Sequence, residues 1–142
     1  MKGFRSAEEC REVIGRAFEL MSRDPGMGPK LRDADAPQRW VFPDLDLVVN
    51  VTAAAEDEGP SGSLRWEWSD DVDWEAEVVM TMDSAIANRY FQGKENIAMA
   101  VARRRIRTSG NVKQALALVP VTKPVFPLYR AMLETDYPHL IE

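Results

Sequence analysis

The sequence predicts an α+β domain in which helices cover mainly one face of a single β-sheet. Apolar residues recur first at helical spacing, then at every second residue over several short segments, and then at helical spacing again. Short turns separate the strand segments, which favours antiparallel neighbours. A length of 142 residues suits one domain with its own buried core. We therefore treat residues 1–142 as a single domain.

The chain opens with an amphipathic helix. Ser6 and Glu9 have the spacing of a capping box, in which side chains satisfy the free amides at a helix start. One apolar stripe then follows at helical spacing, formed by Cys10, Val13, Ile14, Ala17, Phe18 and Met21. The sequence Asp24-Pro25-Gly26 ends this helix. We expect residues 27–37 to form a loop, because they contain a glycine and two prolines.

The middle of the chain predicts four strands, at residues 38–42, 45–53, 64–69 and 74–82. A polar loop at residues 56–63 suits a hairpin connection, and the four strands most simply form an antiparallel meander. Because side chains alternate between the faces of a strand, one face is predicted to look toward the helices. That face carries Val49, Val51, Trp66, Trp68, Val78 and Met80.

After Met82 the helical period returns. Asp83 or Ser84 can cap a helix that ends at Gly93, and residues 95–102 predict a second, alanine-rich helix. Residues 103–109 predict a basic strand. A helix with an apolar stripe then ends at Pro120, and Pro127 suits the first turn of the last helix. The tail at residues 135–142 is predicted to be irregular.

Composition excludes several classes of protein. Eighteen Lys and Arg against 23 Asp and Glu give a net charge of −5, which disfavours nucleic-acid binding through a basic surface. A single cysteine excludes an internal disulfide, and a single histidine excludes a zinc cluster built on histidines. No apolar run approaches the length of a transmembrane helix, and residues 1–11 lack the apolar core of a signal peptide. We expect a cytoplasmic protein.

Motifs for catalysis are missing from the sequence. It contains no Gly-x-Ser-x-Gly elbow, Walker loop, Gly-x-Gly-x-x-Gly or Cys-x-x-Cys. Cys10 lies on the apolar stripe of the first helix, where a structural thiol is expected, and His139 lies in the tail. We predict no catalytic residue, no metal and no cofactor.

Two groups of charged residues have competing interpretations. Asp70, Asp71 and Asp73, like Asp44 and Asp46, could bind a hard cation, but the spacing favours exposed turns. The basic segment, formed by Arg103, Arg104, Arg105 and Arg107, could contact anionic lipid head groups or a phosphate. For most of these arginines the favoured interpretation is a solvated strand face, whose charge also protects a sheet edge from pairing with other strands. Alternation puts Arg104 on the same side of the strand as Ile106.

The apolar rows of the sheet face also allow two interpretations. Trp66, Trp68, Met80 and Met82 would lie opposite Phe91, Met99 and the alanine-rich helix. Such residues pack into a tight core, or they line an adaptable cavity, because methionine repacks readily. Composition alone favours the core.

Residues 78–118 resemble the sterol carrier protein type 2 family. The matching order begins with a strand ending in aspartate (Val79-Met80-Thr81-Met82-Asp83) and a helix ending in glycine (Phe91-Gln92-Gly93-Lys94). An alanine-rich helix (Asn96-Ile97-Ala98-Met99-Ala100), a basic strand closing in glycine (Arg105 to Gly110) and residues 112–118 complete it. Two positions depart from the pattern: Arg104 or a neighbour replaces a glycine, and Asn111 replaces an aspartate.

The resemblance implies a mostly antiparallel five-stranded sheet covered by helices, with an apolar tunnel between them. It implies non-catalytic binding and carriage of a sterol, fatty acyl chain or similar lipid. An alternative is an accessory domain that presents a hydrophobic intermediate, such as a quinone or polyketide, to a partner enzyme. An enzyme that uses an acidic residue is a third and less favoured possibility. The predicted ligand-binding residues are Trp66, Trp68, Met80, Met82, Phe91, Ala98, Met99 and Ala102.

Overall fold

The structure is a computed structural model and describes residues 1–55 and 62–142. Residues 56–61, which belong to the predicted hairpin loop, lie outside the described part. The helices are α1 (Ala7–Arg23), α2 (Met27–Ala34), α3 (Ser84–Phe91), α4 (Ile97–Ala102), α5 (Val112–Ala117), α6 (Val119–Thr122) and α7 (Val125–Asp136). The strands are β1 (Gln38–Phe42), β2 (Leu47–Ala53), β3 (Leu64–Glu67), β4 (Val78–Met82) and β5 (Ile106–Gly110).

The five strands form one sheet in the order β3-β2-β1-β4-β5. Three pairings are antiparallel and the β1–β4 pairing is parallel, so the predicted α+β class with a mostly antiparallel five-stranded sheet is confirmed. The simple meander is wrong, because β4 lies beside β1 instead of β3. Buried Trp40 and Phe42 suit β1 to the centre of the sheet, whereas β3 has only four residues and suits an edge.

Helix α1 follows the prediction closely. The Ser6 hydroxyl accepts a hydrogen bond from the Glu9 amide at 3.0 Å, and the predicted stripe is buried. The Glu9 carboxylate accepts from the Arg5 amide at 3.0 Å instead of closing the box on Ser6. Trp66 and Trp68 pack against α1 at Gly15. A Cβ atom added to this glycine would lie 4.0 Å from the Trp66 indole nitrogen and 3.8 Å from that of Trp68. The predicted phase of the sheet face is therefore confirmed.

Helix α2 occupies residues that the sequence predicts as loop. The Asp24 carboxylate accepts hydrogen bonds from the amides of Gly26 and Met27 at 3.0 and 2.7 Å, which starts the helix. Pro29 falls in the first turn, where no intrahelical amide bond is lost. Burial of Met27 and Leu31 then stabilises a helix that its composition disfavours.

Several other boundaries differ from the prediction. Strand β4 begins at Val78 instead of residue 74, and the Glu77 amide before it donates to the Pro37 carbonyl. Helix α5 ends at Ala117, and Pro120 lies in the first turn of α6 instead of ending a helix. Strand β5 covers Ile106–Gly110, so Arg103, Arg104 and Arg105 precede the strand instead of forming part of it. Pro127 lies in the first turn of α7, as predicted.

The C-terminal tail is ordered by buried amides. Pro138–Leu140 forms a 3₁₀ turn, and Leu140 is fully buried. The side-chain amides of Asn88 and Gln92 each donate to the Leu140 carbonyl at 3.0 Å. Asn88 also donates to the Lys2 carbonyl, so the two ends of the described chain lie against the same helix, α3.

Candidate functional site

An apolar cavity of about 90 Å³ lies between the sheet and the helices. Strands β1, β2, β3 and β4 form one wall, and helices α1 to α6 form the other. The apolar lining residues are Phe18, Met21, Leu31, Ala36, Trp40, Val51, Ala53, Leu64, Met80, Met82, Phe91, Ile97, Val101, Val112, Ala115, Leu116, Leu118 and Val119. The site is therefore built for contact with an apolar surface.

Aromatic rings form the rigid part of the wall. The rings of Trp40 and Phe91 stack at 5.7 Å with 8° between their planes. Phe18 meets Trp40 and Phe91 edge-on at 5.7 and 6.3 Å. Such arrangements stabilise aromatic pairs beyond the burial of their area, so this part of the wall keeps its shape. Flexible methionines, Met21, Met80 and Met82, line the cavity beside it.

Four polar residues also line the cavity: Gln38, Thr52, Tyr90 and Thr122. The Trp40 indole donates to Gln38 Oε1 at 2.9 Å, and the hydroxyls of Tyr90 and Thr122 share a hydrogen bond. Burial raises the pKa of Tyr90, against the smaller lowering effect of Thr122, so the phenol is neutral. In the part of the chain that the structure describes, no charged side chain lines the cavity.

The cavity brings together three of the eight predicted site residues, Met80, Met82 and Phe91. Trp66 and Trp68 are half-buried against α1 and lie outside the cavity wall. Their role in binding a ligand stays a prediction.

The predicted orientation of the alanine-rich helix is wrong. Ala98, Met99 and Ala102 lie on the exposed side of α4, and Met99 is 46% exposed. The same helix turns Ile97 and Val101, which are one turn apart, toward the cavity. Ile97 and Val101 are half-buried, Ala98 and Ala102 meet solvent, and Ala100 is the fully buried residue of this helix.

Several lining residues were missed by the sequence interpretation, among them Trp40, Tyr90, Ala115 and Thr122. A signal existed for Ala115, because it belongs to the helical apolar stripe before Pro120. Trp40 sits in a predicted strand whose place at the centre of the sheet depends on the unpredicted parallel pairing. Thr122 lies in a short proline-containing helix that shows no periodicity.

The reactive side chains lie outside the cavity. Cys10 is fully buried, and burial, with smaller effects of Asp44 and Glu9, raises the pKa of its thiol to about 12. The thiol is therefore protonated at neutral pH and is a poor nucleophile. The His139 ring lies 3.0 Å from the Glu9 carboxylate and ties the tail to α1.

Two of the charged groups with competing interpretations, Asp44 and Arg105, have structural partners. The Asp44 carboxylate accepts hydrogen bonds from the amide and hydroxyl of Ser84 at the start of α3. Arg105 pairs with Glu95, and Arg104 has a φ of 61°, the left-handed conformation that glycine adopts easily. Within residues 1–55 and 62–142, no three His, Cys, Asp or Glu side chains are grouped to hold a metal ion. None of the described helices has the length and apolarity to cross a membrane.

No family model and no curated protein matches the sequence. Solved structures share the fold. The UbiJ-SCP2 ubiquinone synthesis protein has a TM-score of 0.59 and 6% identity, with 86% of this chain and 95% of that chain covered. Sterol carrier protein 2 from Yarrowia lipolytica in its apo form has a TM-score of 0.55 and 16% identity, with 88% and 94% covered. The fold implied by the resemblance is thus confirmed.

A similar structure also occurs within a larger enzyme. The sec-alkylsulfatase Pisa1 from Pseudomonas sp. has a TM-score of 0.58 and 17% identity over 73% of this chain. The match spans only 15% of the sulfatase. The fold is therefore found both in chains of similar length and as part of a long chain.

Proposed function

We propose that residues 1–142 form a single domain that binds and carries a hydrophobic ligand, such as a sterol, a fatty acyl chain or a similar lipid, without chemical conversion. The observation that carries the proposal is the apolar cavity without a charged wall residue in the described chain. The likeness in fold to sterol carrier protein domains supports it. We place this carrier in the cytoplasm, with no nucleic acid as partner.

Binding rests on removal of apolar surface from water. Each square ångström so removed contributes about 25 cal/mol before the costs of association. The stacked pair Trp40 and Phe91 offers a flat, fixed surface, and Met80 and Met82 adapt to the ligand from the sheet side. Of the predicted ligand-binding residues, we expect Met80, Met82 and Phe91 to make these contacts.

The cavity must widen for a long ligand. An apolar cavity of about 150 Å³ holds a single benzene ring, whereas this cavity measures about 90 Å³. Helices α5 and α6 have only six and four residues, and much of their apolar surface is half-buried. Short elements of low burial move at small free-energy cost, so we expect them to open.

The test uses the delipidated chain and a neutral fluorescent probe, N-phenyl-1-naphthylamine. We expect saturable fluorescence enhancement, displacement by long-chain lipids, and a co-purified lipid in native mass spectra of the untreated chain. Absence of saturable probe binding would contradict the proposal, because a cavity that excludes apolar molecules cannot carry a hydrophobic ligand.

A second candidate is an accessory domain that presents a hydrophobic intermediate to a partner enzyme. The likeness in fold to a ubiquinone synthesis protein favours it, as does the presence of a similar structure within a sulfatase. A quinone or another biosynthetic intermediate as the co-purified ligand would support this role. A membrane lipid that exchanges between vesicles would support the carrier instead.

A further inference from the structure

The hydroxyl groups of Tyr90 and Thr122 lie in the cavity wall, and the hydrogen of each is already used in a hydrogen bond. The Thr122 hydroxyl donates to the Val119 carbonyl at 3.0 Å. A hydroxyl has one hydrogen, so the bond between Thr122 and Tyr90 must use the hydrogen of Tyr90. Both residues line the cavity, and both are buried.

The pair therefore presents acceptors and no donor. Each hydroxyl oxygen has two acceptor positions, of which Thr122 uses one for Tyr90. A ligand with an O–H or N–H group can donate to these oxygens. A ketone or ester oxygen finds no free hydrogen there.

Gln38 has the opposite character. Its Oε1 accepts from the Trp40 indole at 2.9 Å, so the amide NH₂ is left as the donor on this side chain. Its NH₂ can donate to a hydroxyl oxygen as well as to a carbonyl oxygen, so it does not distinguish an alcohol from an ester. It carries no charge to compensate an ionised group, and transfer of an unpaired carboxylate out of water is costly.

Building on the proposed function, we propose that the ligand is an uncharged molecule with a hydroxyl or N–H donor, and that this donor binds at Tyr90 and Thr122. Long-chain alcohols and sterol-like alcohols have this chemistry. Fatty acids in their ionised form do not.

The experiment measures displacement of N-phenyl-1-naphthylamine at about pH 8, where a carboxyl group is ionised. The competitors share one chain length: dodecan-1-ol, methyl dodecanoate and dodecanoate. We expect the alcohol to bind roughly three- to tenfold more tightly than the ester, the effect of one hydrogen bond. We expect it to exceed the carboxylate by at least about tenfold. Equal or tighter binding of dodecanoate would overturn the proposal.

The Tyr90→Phe variant removes one acceptor and keeps the ring. It should reduce the ratio of alcohol to ester affinity by roughly three- to tenfold and leave ester affinity within about twofold. Tyr129→Phe is the matched control, since the buried Tyr129 hydroxyl donates to Asn88 and does not line the cavity. An unchanged ratio in folded Tyr90→Phe would refute the assignment of the ligand donor to the Tyr90 hydroxyl.

The outcomes separate two failures. If the probe does not bind to the unmodified chain, the proposed function itself is wrong. If the probe binds but the alcohol has no advantage, only the chemical assignment is wrong. Should Tyr90→Phe fail to fold, the order of the three competitors on the unmodified chain still decides.

Discussion

Ala115 offers the sharpest test of the cavity. It is the buried alanine of α5 and lines the cavity, whereas Ala117 on the same helix is exposed. Replacing Ala115 by phenylalanine directs a phenyl ring into the cavity. Replacing Ala117 in the same way directs an equal ring into solvent. The pair therefore separates filling of the cavity from any general effect of a ring on α5.

The size of the effect follows from the cavity volume. By proportion to a benzene-holding cavity of about 150 Å³, the observed 90 Å³ has room for three or four carbon atoms. A ring that displaces three methylenes of a bound chain, at about 0.8 kcal/mol each, removes about 2.4 kcal/mol of binding free energy, or about fiftyfold in Kd. Overpacking costs about 1–3 kcal/mol of stability, which burial of the ring largely offsets.

The assay combines probe titration with thermal unfolding. We expect Ala115→Phe to raise the Kd of dodecan-1-ol, measured by displacement of the probe, about fiftyfold. The variant should also weaken binding of the probe, with a Tm within a few degrees of the unmodified chain. Ala117→Phe and Ala98→Phe should change none of these quantities, because both alanines face solvent. Unchanged probe affinity in folded Ala115→Phe would refute the location of the site. Global unfolding of that variant would show a filled core instead of a cavity.

Three further predictions concern the rest of the fold. Burial raises the pKa of Cys10 to about 12. At about pH 8, a disulfide reagent should therefore label the Cys10 thiol of the native chain only as fast as local unfolding exposes it. Labelling within the mixing time would contradict this prediction. Burial raises the pKa of Glu142, but hydrogen bonds from the Lys2 amide and from Arg89 outweigh it and hold the pKa below 4.5. The stability that this carboxylate contributes is present above its unfolded pKa and is lost as the pH falls through its folded pKa. Glu142→Gln should therefore reduce the dependence of the free energy of unfolding on pH in the acid range, measured by denaturant titration. An unchanged pH dependence would exclude this effect. Arg104→Gly should raise the free energy of unfolding by up to about 1 kcal/mol, because φ is 61° there. Arg104→Ala should bring no gain, and an equal gain from both would point to charge instead.

The elements with strong periodicity were predictable from the sequence. The cap at Ser6, the stripe of α1 and the phase of the sheet face follow from local spacing, which the structure keeps. The parallel β1–β4 pairing was not predictable, because the choice of partner strand depends on the packing of the whole sheet. Helix α2 was missed because its stabilising contacts, burial of Met27 and Leu31, are tertiary.

The site divides in the same way. Met80, Met82 and Phe91 were found because strand alternation and the α3 stripe determine their direction. Helix α4 is less than two turns long, so its apolar residues surround it and spacing cannot choose a buried side. The preference for Met99 over Ile97 and Val101 had no periodic basis. The hydroxyl pair of Tyr90 and Thr122 joins two helices that are distant in sequence and leaves no local pattern.

The parallel ladder also governs how the chain assembles. It joins Gln38 to Val78, 40 positions apart, whereas Phe42 and Leu47 meet across a tight hairpin. Closing the longer loop costs about 2 kcal/mol more chain entropy, so strands β1 to β3 and the pair β4–β5 are expected to form first and dock late.

The cavity spans the boundary between β1 and β4, since Trp40 and Met80 are paired across these strands and both line the cavity. A bound ligand thus bridges two separately formed units. We expect the two units to dock after the main folding barrier, so a bound ligand should slow the unfolding rate and leave the folding rate nearly unchanged.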